Sequence, residues 1–134
     1  LGQKKNGGYY DYDKNRQRVL SPIAIEVIKN IALEKGVEPV PADEEEILAR
    51  LLYPVINEGA KVLGEGIALR SSDIDIACIN GYNWPVYHGG PMFWANTIGL
   101  KKVLEKLQEF EQRFGEAFTP SPYLARLVEE GKEF

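Results

Sequence analysis

The chain has 134 residues, room for one domain with a core large enough to fold without disulfide or metal staples. Its 20 acids against 16 bases give a net charge of -4 on an ordinary composition of 44% apolar and 27% charged residues, so a phosphate backbone is repelled and nucleic acid is not an expected partner. The apolar runs fall far short of the roughly 20 residues a membrane span needs, and the single Cys78 and single His88 exclude an intrachain disulfide and a structural zinc site of the Cys/His kind.

The opening stretch, Leu1 to Asp13, is polar, glycine-rich and aromatic, and reads as an extended lead-in with one short strand around Tyr9–Tyr12. Leu1 is an odd first residue for a natural chain, and the expectation is a segment of something longer. A first helix starts at Ser21, with Pro22 in the first helical position and Ile23, Val27, Ile28 and Ile31 at helical spacing, until Gly36 stops it.

After the Pro39–Pro41 break, Asp43 and Glu46 form a capping-box pair, with Glu44 and Glu45 favouring the positive helix start. Ile47, Leu48, Leu51, Leu52, Val55, Ile56, Ala60 and Leu63 then mark one apolar stripe, interrupted by Pro54, where a kink without a break is expected. Ser71 or Ser72 can cap a third helix running through Asp75 and Ile79 to near Gly81. Helical signals resume from Pro91 to about Thr97. Leu100, Val103, Leu104, Leu107, Phe110 and Phe114 carry an amphipathic helix to Gly115, and Pro122 to Glu130 forms a last short one. The pattern is all-α, with five or six helices.

The candidate chemistry is thin. Gly7-Gly8 lacks the preceding strand, the following helix start and the three-glycine spacing of a dinucleotide loop. His88 sits among glycines, prolines and aromatics, and no spacing ties it to Asp73, Asp75 or Glu65 as a base would require. Ser71-Ser72 has no nucleophile-elbow context, the acids 43–46 read as a solvated first helical turn, and Cys78 lies in an apolar run as a small core residue, in keeping with a reducing compartment. No catalytic, cofactor-binding or metal-binding constellation emerges from the residues themselves.

Three blocks resemble one family. Gly81 to Leu100, GYNWPVYHGGPMFWANTIGL, is similar to a Gly-Tyr-Gly-Phe/Trp-Pro-x-x-Arg-Gly-Gly-Pro-Met-Phe-x-Ala-Asp segment near the C-terminus of multifunctional fatty-acid β-oxidation enzymes. These are the fused enoyl-CoA hydratase/3-hydroxyacyl-CoA dehydrogenases. Leu51 to Ala60, LLYPVINEGA, and Ala68 to Asp75, ALRSSDID, resemble two further segments of that family, and the lead-in resembles the linker between its two C-terminal helical repeats.

The resemblance implies the second helical repeat, similar to the C-terminal domain of 6-phosphogluconate dehydrogenase, with a lead-in over 1–20 and the domain over 21–134. The family's catalytic His and Glu lie in a Rossmann domain outside this chain. Its active-site Asn, in Phe-x-x-Asn-Arg-Leu, falls on Ala49 here, so the repeat is expected to be a degenerate, non-catalytic copy. His88 replaces an Arg, Asn83 a Gly and Asn96 an Asp, and a neutral His88–Asn96 hydrogen bond is expected in place of an ion pair.

By the same resemblance NAD serves the parent enzyme, not this chain. The partners are the Rossmann and first helical domains of the same polypeptide, with acyl-CoA reached through the parent. Trp84, Pro85, His88, Gly89, Gly90, Pro91, Met92, Phe93 and Trp94 are structural or interface residues, with Trp84, Phe93 and Trp94 supplying buried area. An exposed apolar patch is expected at the Leu52–Ile56 face and the Trp84–Trp94 segment. Arg70, Lys101 and Lys102 are solvated by default. The location is cytoplasmic, or peroxisomal in a eukaryote. The alternative is a free-standing helical interaction module; a small hydrolase built on His88 lacks a nucleophile.

Overall fold

A computed structural model describes residue 4 and residues 7–38 and 41–134. Leu1 to Gln3, Lys5 and Asn6 of the lead-in, and Pro39 and Val40 of the expected break, lie outside the described residues. The chain divides into two compact units, Leu1–Pro41 and Ala42–Phe134.

The first unit holds a hairpin and one helix. The expected strand is present as β1, Tyr10–Tyr12, but it pairs antiparallel with β2, Arg18–Leu20, in the register Tyr10 to Leu20. β2 carries no sequence signal, because three residues are too few for alternation to register. Asp13 makes the turn: its carboxylate accepts the N–H groups of Asn15 and Gln17, both at 2.8 Å. α1, Pro22–Glu34, has Ser21 at its N-cap position without a side-chain capping bond. Gly36, with φ 61°, ends it by letting the Val37 N–H reach back to the Ala32 carbonyl.

The second unit carries α2 (Glu44–Gly64), α3 (Ser71–Gly81), α4 (Pro91–Ile98), α5 (Leu100–Phe114) and α6 (Pro122–Glu129). The all-α expectation holds, with six α-helices and little strand among the described residues. α2 passes through Pro54 as one helix. Asp43 caps it by accepting the Glu46 N–H at 2.7 Å; the Glu46 carboxylate turns instead to Arg113 at 2.9 Å, so only half of the expected box forms.

Neither Ser71 nor Ser72 caps α3. Both lie inside the helix, and the N-cap position falls to Arg70, whose N–H is accepted by Asp73 at 3.2 Å. Asp73 also takes the Arg70 guanidinium at 2.9 Å, and a carboxylate at the third helical position needs no hydroxyl at the cap.

One core joins α2, α4, α5 and α6. Ile56, Ala60, Met92, Ala95, Val103, Leu107, Phe110 and Leu124 are all fully buried. α5 presents Val103, Leu107 and Phe110 on one face, as its spacing predicts. Phe110 meets Phe118 edge-on at 5.4 Å, and Phe114 closes the aromatic group. Asn57, buried on α2, ties the α5–α6 connection: its Nδ2 donates to the Thr119 carbonyl at 2.9 Å and its Oδ1 accepts the Ser121 N–H at 2.7 Å.

The single apolar stripe expected of α2 divides in two. Ile56 and Ala60 face the core with Ala49 and Tyr53, whereas Ile47, Leu48, Leu51 and Val55 are exposed, Leu51 at 65%.

Candidate functional site

The exposed side of α2 forms one wall of an apolar groove of about 980 Å³. Leu52, Val55 and Val62 of α2 face Ile74, Ala77 and Cys78 of α3 across it, and Tyr82 and Trp84 continue the lining. The loop between the two helices supplies the rest. Gly66, with φ 70°, lets the Ile67 N–H return to the Val62 carbonyl at 3.0 Å, and the reversed chain brings Ile67, Ala68 and Leu69 to the lining.

The expected patch is therefore present but differently composed. Leu52, Val55 and Trp84 belong to it, while Ile56, placed there by sequence, faces the core. Ile67, Leu69 and the α3 residues were missed. Two bulky apolar residues in the loop after Gly66 were the available signal.

The glycine-rich stretch borders this groove. Val86–His88 form a single 3₁₀ turn after Pro85, and Gly89 and Gly90, with φ 72° and 101°, reverse the chain into α4. Pro91 opens α4, buried with Met92; Met92 packs so close to Gly59 of α2 that a Cβ there would collide with its sulfur. Trp94 stands against Tyr53 at 6.1 Å, Trp84 at 5.8 Å and His88 at 6.1 Å. Phe93, expected to be buried, is 61% exposed.

His88 lies tilted against the Tyr87 ring, with centroids 4.5 Å apart. Its expected bond to Asn96 is not made. Asn96 instead holds the backbone of Phe134, accepting its N–H at 3.1 Å, because the α4 helix turns that side chain toward the end of the chain. Two of the three acids named with His88 are engaged elsewhere: Asp73 with Arg70, and Asp75 with the start of α4.

Asp75 is the electrostatic centre of this region. Only 8% exposed, it accepts the N–H of Met92 at 2.7 Å and that of Phe93 at 3.2 Å. Burial pushes its carboxyl above the ordinary carboxylate range, and those two amide bonds pull the other way. Gly90 lies so tightly over it that any Cβ would enter the carboxylate. This carboxylate takes up the first-turn amides of α4, which are therefore not free for another anion. The Cys78 thiol, on the groove, is raised by burial and by Asp75.

Arg70, Lys101 and Lys102, expected to be solvated, each have a carboxylate partner: Arg70 with Asp73, Lys101 with Glu105 at 3.8 Å, and Lys102 with Glu45 at 3.0 Å. Ala49, 4% exposed, belongs to the core cluster with Leu107 and Phe110. Among the described residues no group of three or more His, Cys, Asp and Glu could hold a metal ion, and no helix is long and apolar enough to cross a membrane.

The second unit is thus a helical domain with a large apolar groove and a glycine turn closed by its own carboxylate. Residues 47–133 match the family described as 3-hydroxyacyl-CoA dehydrogenase, C-terminal domain, and the chain belongs to that family.

The chain is 40% identical over 135 residues to the Homo sapiens peroxisomal bifunctional enzyme, which covers 98% of this chain and 19% of that protein. It is 36% identical over 134 residues to the Cucumis sativus glyoxysomal fatty acid beta-oxidation multifunctional protein MFP-a, covering 97% of this chain and 18% of that one. The solved dehydrogenase part of multifunctional enzyme 1 from C. elegans is similar with a TM-score of 0.61 and 29% identity, over 94% of this chain and 29% of that one. The chain thus spans about a fifth of the length of the curated relatives it matches. Dehydrogenases of this family are NAD-dependent in general.

Proposed function

We propose that this chain is the second helical repeat of a multifunctional β-oxidation enzyme whose dehydrogenase oxidises (3S)-3-hydroxyacyl-CoA to 3-ketoacyl-CoA with NAD⁺. Residues 1–20 are the lead-in and 21–134 the domain, of which the family match covers 47–133. The repeat itself supplies no catalytic group. It packs through its groove against the first helical repeat and the Rossmann domain of the same polypeptide, and so supports the acyl-CoA cleft they form. Trp84, Pro85, His88, Gly89, Gly90, Pro91, Met92, Phe93 and Trp94 serve this packing.

The observation that carries the reading is the groove, an apolar channel of about 980 Å³ on a domain that is a fifth of its relatives' length. Ala49 supports the non-catalytic role, since the position resembling the family's active-site Asn is occupied by a methyl group packed in the core. The peroxisomal and glyoxysomal relatives support a peroxisomal location; the cytoplasmic expectation has no support among them.

The test is acetoacetyl-CoA-dependent NADH oxidation by the longer enzyme truncated just before Leu1, with and without this chain added. Restored turnover on addition supports the docking role. Turnover by the chain alone overturns the non-catalytic reading. An unimpaired truncated enzyme favours a separate interaction module.

A further inference from the structure

We propose that Asp75 is the positioning residue of the groove's aromatic wall: by gripping the first turn of α4 it sets Trp94, and through Trp94 it sets Trp84 in the groove lining. The proposal rests on the docking reading only for the biological use of the groove; the positioning itself needs no partner.

A carboxylate that is 8% exposed normally has a cation beside it, and among the described residues none forms an ion pair with Asp75. Its partners are two backbone amides, Met92 N–H and Phe93 N–H, seventeen and eighteen residues along the chain. Two amide donors at a helix start form charge-assisted bonds and fix both the height and the rotation of that helix. Gly90, whose φ of 101° suits glycine, brings the backbone down onto the carboxylate.

The rotation of α4 determines where Trp94 points. Trp94 holds the Trp84 ring at 5.8 Å, and the Trp84 backbone N–H is anchored separately on the Cys78 carbonyl at 3.1 Å, one turn along α3 from Asp75. Trp84 thus has its backbone fixed by α3 and its ring fixed by α4, and Asp75 is the side chain that joins those two helices. A simple helix cap would stabilise α4 and stop there. Asp75 goes further, because the helix it fixes carries the side chain that shapes the groove.

The experiment uses the intact 134-residue chain as parent, Asp75→Ala and Asp75→Asn. Asn57→Ala is the control, since it also removes two backbone bonds of a buried side chain but at the α5–α6 connection. Amide hydrogen exchange is followed at Trp84, Met92 and Phe93, and the apolar dye anilinonaphthalene sulfonate is titrated into the groove.

In Asp75→Ala the three amides exchange on the order of tenfold faster while α5 and α6 amides keep their rates, and dye affinity falls severalfold. Asp75→Asn, which keeps one acceptor oxygen, lies between, and Asn57→Ala leaves Trp84 and the dye unchanged. If Trp84 exchange and dye affinity in Asp75→Ala equal the parent's, or all amides accelerate together, Asp75 is a cap or a stability residue only and the proposal is overturned. Should Asp75→Ala not fold, Asp75→Asn decides by the same two readings. A chain that passes here yet fails to rescue the truncated dehydrogenase refutes the docking partner and leaves the positioning intact.

Discussion

α2 carries apolar residues on two faces that meet different fates. Tyr53, Ile56 and Ala60 are sealed against α4, α5 and α6, with Asn57 among them as a fully bonded polar group. Leu48, Leu51 and Val55 stay exposed, and Val55 joins Leu52 and Val62 along the groove. The two faces have similar composition, so hydrophobicity alone does not separate a core from a docking surface. What separates them is what packs opposite: α5 supplies Val103, Leu107 and Phe110 to one face, and the other looks across open space to α3. The folded unit is stabilised by one side of this helix, while the other stays open to solvent.

The sharpest way to break that comparison is to truncate both faces. Phe110→Ala, opposite the sealed face, should cost about 4 kcal/mol in urea denaturation, because the cavity adds to the lost transfer energy of a fully buried ring. Gly90→Ala comes next, at about 3 kcal/mol, since it combines a strained φ with a collision against Asp75. Asn57→Ala should cost about 2 kcal/mol by leaving the buried Ser121 N–H without an acceptor. Leu51→Ser, on the open face, should change stability by no more than about 0.5 kcal/mol. A cost for Leu51→Ser near that of Phe110→Ala would mean the open face is not open in solution.

A pH series gives the smallest effect and refines the picture of Asp75. Its carboxyl is raised by burial, so the folded state binds that proton more readily than the unfolded chain does. The contribution of this group to stability is therefore full below the ordinary carboxylate range and is lost as pH rises through the raised value. The stability difference between the parent and Asp75→Asn should then be most favourable to the parent at the acid end and flat near neutrality. The opposite slope would show that the two amide bonds outweigh the burial.

Much of the fold was legible because α5 and α6 are amphipathic with one buried face each, so periodicity, Gly115 and Pro122 suffice to bound them. The hairpin strand Arg18–Leu20 was not legible, because its pairing with Tyr10–Tyr12 depends on the turn that Asp13 builds and not on any pattern in the strand itself. The candidate site was half legible. Gly89, Gly90 and Pro91 announced a sharp turn, but the residue that makes the turn necessary, Asp75, sits fifteen positions before Gly90 in a block that looked like an ordinary helix start. His88, the chain's one histidine, is engaged in ring contacts with Tyr87 and Trp94.

The sequence by itself determined the helical class, the ends of most helices and the family, because capping, glycine stops, apolar spacing and the Gly-Gly-Pro-Met block are local properties of the chain. Only the tertiary structure decided which face of α2 is core, which acid seals α4 and where the groove runs. Those outcomes depend on which atoms lie opposite one another across the fold, and no spacing within a single segment encodes that.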